Sequence, residues 1–133
     1  LLNIELKGAD TAEPLLELIK KAETELGTEP EKLLISSFNH HLLKQIKKQR
    51  PDIKLGALTA SLPLDYAAFA SELGAWSVHC DKGFIDQQMI QDAHQRGLQV
   101  WVYTVNDAAT AQKLQQLGVD GIFCNYPLQA RSW

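Results

Sequence analysis

The sequence predicts an α/β protein built as a parallel (β/α)₈ barrel, with about six of the eight βα units present in its 133 residues. Three observations carry that prediction. Short apolar runs rich in Val, Ile, Leu and aromatics alternate with amphipathic stretches at helical spacing, the pattern of a parallel sheet covered by helices. The unit recurs at roughly 20- to 30-residue intervals, and a complete barrel of eight such units runs to about 250 residues. No glycine-rich GxGxxG follows any of the runs, which counts against an open dinucleotide-binding sheet.

The strand-like runs are 2–7, 33–38, 54–58, 76–80, 99–104 and 121–125. Helical stretches fill the spaces between them. Residues 11–26 carry Leu15, Leu16, Leu18, Ile19 and Ala22 at helical spacing, and Gly27 is the stop. His40–Gln49 has Leu42, Leu43 and Ile46 on one stripe, with Lys44, Lys47 and Lys48 elsewhere and Pro51 closing it. Residues 64–73 end at Gly74, and 86–95 end before Gly97. Asn106 is the predicted N-cap of a helix over 107–117 that ends at Gly118, and a last short helix begins near Pro127. No low-complexity linker interrupts the chain, so residues 1–133 form one domain.

Composition narrows the function classes. Hydrophobic residues make up 45% and charged residues 22%, values ordinary for a folded globular chain. A formal charge of -3 gives no electrostatic ground for a nucleic-acid partner or an anionic membrane. No apolar run approaches the roughly 20 residues that a membrane span needs, so no stable membrane insertion is expected. Cys80 and Cys124 match no metal-ligand or CxxC spacing and read as reduced thiols of a cytoplasmic protein. The chain begins at Leu1, directly on an apolar run, and the expectation is that the natural N-terminus lies upstream. The absence of a signal peptide therefore weighs little.

The first run holds the most informative chemistry. Side chains alternate along a strand, so Ile4 and Leu6 face the helices while Asn3, Glu5 and Lys7 face inward. A carboxylate and an ammonium inside a barrel are costly unless paired or used. They also sit at the C-terminal end of the strand, where parallel barrels place active sites. The structural alternative is a Glu5–Lys7 ion pair. On the second run, Ser37 is a candidate anion contact and Phe38 a candidate pocket wall, against an ordinary strand end with Asn39 as N-cap. His40 and His41 read as surface residues at a helix start, and His94 as an exposed residue in mid-helix. Ser77, His79 and Asp81 share one face, which makes His79 a candidate for the barrel mouth or a satisfied, partly buried histidine. Tyr103, near a strand end, lines a pocket or packs the barrel.

Taken in order, these residues resemble the glycerophosphodiester phosphodiesterase family. The resemblance rests on Asn3-Ile4-Glu5-Leu6-Lys7, Ser36-Ser37-Phe38, Val100-Trp101-Val102-Tyr103-Thr104-Val105-Asn106, and Gly118-Val119-Asp120-Gly121-Ile122 with Asn125-Tyr126-Pro127. It covers essentially the whole chain, and Ser77-Val78-His79 with Gly97-Leu98 is most similar to the cytosolic bacterial branch. The resemblance implies a TIM barrel of which this chain is the C-terminal part. It implies hydrolysis of a small-molecule glycerophosphodiester to an alcohol and sn-glycerol 3-phosphate with Mg²⁺ or Ca²⁺. Carried over, Glu5 is a metal ligand, Lys7 a catalytic cation facing the phosphate oxygens, and Phe38 and Tyr103 line the substrate cleft, with Ser37 and His79 as further substrate contacts. The family's His-Arg-Gly motif, its Glu-x-Asp strand and its His-Asp pair are absent from this sequence. The expectation is that the chain by itself is catalytically inert and that open sheet edges favour self-association. The competing reading is a truncated, non-catalytic barrel serving as an interaction module.

Overall fold

The computed structural model describes residues 1–133. Six parallel strands form one sheet in strictly sequential order: β1 (Leu2–Glu5), β2 (Leu33–Ser37), β3 (Lys54–Thr59), β4 (Ser77–Asp81), β5 (Gln99–Tyr103) and β6 (Gly121–Ile122). Each strand hydrogen-bonds to the next in the chain. A doubly wound sheet would reverse direction at a switch point, and this one does not. The sheet also curls, because side chains of β1 and of the residue following β6 line one cavity. The architecture is the expected portion of a parallel barrel.

The helices are α1 (Ala12–Leu26), α2 (His40–Gln49), α3 (Ala68–Glu72), α4 (Gln87–Gln95), α5 (Ala108–Leu117) and α6 (Pro127–Ala130). Local chemistry sets most of their ends. Gly27 closes α1 in the left-handed conformation (φ 65°) that a Cβ disfavours. The side chain of Asn39 accepts from the N–H groups of His41 and Leu42 at the start of α2, and that of Asp86 from Met89 at the start of α4. A 3₁₀ turn at Pro30–Lys32 leads into β2.

Several boundaries differ from the sequence reading. β1 stops at Glu5, although Leu6 N–H still donates to the Ser36 carbonyl at 2.8 Å. β6 is two residues rather than five. The predicted helix over 64–73 shrinks to α3, because Tyr66 takes a positive φ of 46° and Leu64 stays in solvent, 98% exposed. Asn106 does not cap α5. Its side-chain oxygen accepts from Asn125 N–H at 2.9 Å, tying the β5 and β6 ends together, and the neighbouring Asp107 takes the cap.

The outer face of the sheet packs against the helices. Ile35, Leu55, Val78 and Val100 from four adjacent strands meet Leu43 and Ile46 of α2 and Met89 and Ile90 of α4 in one apolar cluster. These residues are 0–1% exposed and hold the strands in place while contributing nothing to the inner face. No helix is long and apolar enough to cross a membrane. Cys80, on that outer face, and Cys124 are both free, and burial pushes the Cys80 thiol up to about 12.

Candidate active site

The C-terminal ends of the strands surround a small cavity of about 170 Å³. Asn3 and Glu5 come from β1, Ser36 and Phe38 from β2 and its end, Leu58 from β3, Tyr103 and Thr104 from the end of β5, and Phe123 from the end of β6. These residues lie more than a hundred positions apart in the chain, yet the alternation of each strand points them to one place. A larger surface hollow of about 750 Å³ lies between α2 and α3, lined by His40, His41, Lys44, Lys47 and Phe69 among others. It lies on the helical outside of the sheet, away from the strand ends where barrel chemistry is placed.

The aromatic wall is held by definite contacts. Tyr103 Oη donates to the Thr59 carbonyl at 2.8 Å, and its ring stands edge-on to Phe38, with centroids 5.9 Å apart at 87°. Burial, with the Asp81 carboxylate next in weight, pushes the Tyr103 phenol up to about 12, so it stays a neutral donor. Phe38 remains half exposed at the rim. Glu5 is exposed at the mouth, in register with Ser36.

Of the residues that the sequence reading selected, Glu5, Phe38 and Tyr103 are brought together at this cavity. Lys7 follows β1, lies in solvent and does not line it. No ion pair joins Lys7 to Glu5, so the structural alternative for that pair is not observed. Ser37 is directed elsewhere. Its hydroxyl donates to the Leu6 carbonyl at 2.7 Å and accepts from Asn39 N–H at 3.0 Å, stitching the end of β1 to the start of α2. Its neighbour Ser36 takes the inward position instead.

His79 faces inward as expected but lies beneath the mouth, where Phe123 rather than His79 lines the cavity. The imidazole is fully buried, stacked on Trp101 at 5.5 Å and 12° and packed on Phe123 at 5.0 Å. Its Nε2 shares a 2.9 Å hydrogen bond with Ser77 Oγ, and burial lowers its pKa to about 4. Gly56 makes room for the ring, since a Cβ there would come within 2.5 Å of it. His40 is half buried, donating from Nε2 to the Leu58 carbonyl at 2.8 Å, whereas His41 is exposed and His94 is exposed and paired with Asp120 at 2.8 Å.

Ser36, Leu58, Thr104 and Phe123 were missed, and parity along the strands was the signal that finds two of them. Ser36 shares a face with Phe38 and cannot share one with Ser37. The same rule links Phe123 to Gly121, which packs on the inward-facing Trp101.

Glu5 is the one carboxylate lining the cavity, and no three His, Cys, Asp or Glu side chains of the chain converge into a set that would hold a metal ion. Mg²⁺ and Ca²⁺ take six or more oxygen ligands. The residues of this chain therefore do not by themselves fit such a centre.

Comparison with known proteins agrees with the fold and identifies the family. Residues 4–129 match the glycerophosphoryl diester phosphodiesterase family. A glycerophosphodiester phosphodiesterase of Caldanaerobacter subterraneus subsp. tengcongensis is 30% identical over 128 residues, which are 96% of this chain and 52% of that protein. One from Bacillus altitudinis is 29% identical over 98% of this chain and 54% of its own length. Among solved structures, an Oleispira antarctica phosphodiesterase in complex with the product sn-glycerol-3-phosphate superposes with a TM-score of 0.85 at 29% identity, over 98% of this chain and 53% of that one. A glycerophosphodiester phosphodiesterase from Parabacteroides distasonis shares the fold with a TM-score of 0.79 at 18% identity, over 98% of this chain and 54% of that one. The chain spans about half the length of the relatives it matches.

Proposed function

The chain belongs to the glycerophosphoryl diester phosphodiesterase family, and from that membership we propose that the whole protein hydrolyses glycerophosphodiesters to an alcohol and sn-glycerol 3-phosphate in a reaction that depends on Mg²⁺ or Ca²⁺. The observation that carries this reading is the single carboxylate, Glu5, set at the C-terminal mouth of the strands beside an aromatic wall. In the reaction a water oxygen bonds to phosphorus, the P–O bond to the leaving alcohol breaks, and a proton reaches the departing oxygen.

Each residue of this chain has a proposed part. Glu5 offers one oxygen to a metal centre that other parts of the protein complete. Lys7, free of any ion pair, places a positive charge near the phosphate oxygens. Phe38 and Tyr103 wall the substrate, and Tyr103 is braced for that by its bond to Thr59. Ser37 and His79 act from outside the cavity, by holding the β1–β2 strand ends and by backing Phe123. This chain alone has no second acid or base at the cavity, and the proposal is that it is inert by itself. The free edges of β1 and β6 give the isolated chain a route to self-association. The free cysteines favour a cytoplasmic location.

The test is a coupled assay for glycerol 3-phosphate release from glycerophosphocholine by the whole protein, with Mg²⁺ or Ca²⁺ and then with a chelator. Chelator-sensitive release is the expected result. A folded protein that releases nothing from several glycerophosphodiesters would overturn the reading. Lys7→Ala is expected to lower the rate about a hundredfold, as for loss of a charge-stabilising donor. An unchanged rate would return Lys7 to the solvent.

A further inference from the structure

Helix α2 is a basic element in an acidic chain. It carries Lys44, Lys47 and Lys48, with His40 and His41 and no carboxylate, in a protein of formal charge -3. Lys44 and Lys48 stand one turn apart, and like charges at that spacing destabilise a helix unless something offsets them. On α1 the offset is built in, where Lys21 pairs with Glu25 a turn away. On α2 it is missing. The acids that reach this helix are committed elsewhere: Glu13 of α1 accepts from Gln45 and Gln49, while Glu23 and Asp52 hold Arg50. Lys47 donates to the Pro51 carbonyl at 3.2 Å, and no ion pair of the chain includes Lys44, Lys47 or Lys48. The helix dipole favours Lys47 and Lys48 in the last turn but does not reach Lys44.

These three lysines line the hollow of about 750 Å³ between α2 and α3, where Glu72 is the one carboxylate. Glu72 in turn feels the Arg96 guanidinium, whose pKa it helps to raise. The apolar side of the hollow is held in place. The His40 imidazole, bonded to the Leu58 carbonyl, stacks on the Phe69 ring with centroids 5.2 Å apart at 7°, and Leu73 lies beside them. A concave space of several hundred Å³ with an apolar lining and a few converging charges has the form of a small-molecule site. Its position also matters. It lies over β3, between helices of this chain, with Glu13 of α1 bonded to α2 on one side and Tyr66 and Ala67 bonded to α4 on the other. Strands that complete a barrel join the sheet at β1 and β6, at the far ends of the strand order.

We propose that this hollow binds a small organic phosphate, with the phosphate between the Lys44 and Lys48 ammoniums and the carbon body along Phe69 and Leu73. A phosphate monoester carries nearly two negative charges at neutral pH, which matches two unopposed cations one turn apart. Lysine holds phosphate as a compact point charge and needs no fixed fork geometry. The hollow lies on the helical outside of the sheet and shares no residue with the strand-end cavity, so the proposal is independent of the phosphodiesterase reading.

The experiment titrates phenyl phosphate and inorganic phosphate, with a chelator present, against the whole protein and two double variants. Lys44→Gln with Lys48→Gln empties the hollow of its two free charges. Lys20→Gln with Lys113→Gln removes the same charge from exposed positions on α1 and α5. The wild type is expected to bind phenyl phosphate more tightly than inorganic phosphate. The first pair is expected to lose about tenfold or more in affinity, for two charged contacts removed. The control pair is expected to lose about twofold at most, since salt screens distant surface charges. Absence of binding by the wild type at about 10 mM phenyl phosphate would overturn the proposal. So would equal affinity in the wild type and the Lys44/Lys48 pair, which would move the phosphate to the strand-end cavity. Equal losses in both pairs would reduce the effect to net charge and overturn it as well. Equal affinity for the two phosphates would overturn the seat on Phe69 and Leu73.

Discussion

The two faces of one sheet differ in what they satisfy. On the outer face, Ile35, Leu55, Val78 and Val100 are packed on helices in a continuous apolar cluster. On the inner face stand Asn3, Ser36 and His79, each with a buried polar atom that no other group of this chain meets. The same strands carry both, residue by residue in alternation. The difference teaches where stability and chemistry reside. The outer face gains free energy from burial and specifies the fold, while the inner face carries polar side chains, two of which, Asn3 and Ser36, line the strand-end cavity.

If that division holds, substitutions on the two faces should have separable effects. The largest is expected at Glu5. Glu5→Gln in the whole protein should abolish turnover and leave the denaturant midpoint unchanged, since the carboxylate is exposed and makes no ion pair. Retained turnover would sink the proposed role of Glu5 as a metal ligand. On the outer face, Leu43→Ala should cost about 2–5 kcal/mol in urea unfolding and leave kcat/KM of the remaining folded protein untouched. A Leu43 variant that loses activity in step with stability would blur the two faces.

The third prediction uses pH. Burial holds the His79 imidazole at about 4 against an ordinary 6.5. Between those values the unfolded chain binds a proton there and the native chain does not, so stability falls as pH is lowered through that window, by about 3 kcal/mol in total. Surface carboxyls act in a different window. Arg50 beside Asp52, Arg96 beside Asp92 and the Thr110 N–H beside Asp107 hold those carboxyls below 3.8, so what they contribute is present above that value and lost only as pH falls further. Denaturant midpoints measured from pH 7 to pH 4 should therefore slope in the wild type and flatten in His79→Phe. An equal slope in both would show that His79 is not held neutral by its surroundings.

The smallest expected effect is at Gly56. A Cβ there would meet the His79 ring at 2.5 Å, so Gly56→Ala should cost about 1–3 kcal/mol, and His79→Ala in the same chain should recover most of it. Thermal melts of the single and double variants measure the coupling. Additive losses would show that the two do not touch as described.

Much of this was legible in the sequence because it is local. Apolar runs alternating with helical stripes announced the βαβ order, and Asn39 and Gly27 marked helix ends through contacts with near neighbours. Parity along β1 placed Glu5 inward correctly. Parity also placed Ser77, His79 and Asp81 on one face, but a strand's alternation reports the face and not the depth along the barrel axis. That is why His79 reads as a mouth residue and is found below it, behind Phe123. The shortened α3 and the displaced cap of α5 have the same origin: Tyr66 is tethered to Gln88 of α4, and Asn106 is drawn to Asn125, partners that no window of neighbouring residues contains.

The sequence by itself determined the fold class and the inward position of Glu5, because propensity, period and capping act over a few residues. Tertiary structure alone decided which inward residues meet. Curling of the sheet brings Asn3 and Glu5 of β1 to Phe123 beyond β6, leaves Ser36 unpaired beside them, and sets Tyr103 on Thr59. Those contacts depend on curvature accumulated over the whole sheet, and that curvature is a property of the packed strands together rather than of any one strand.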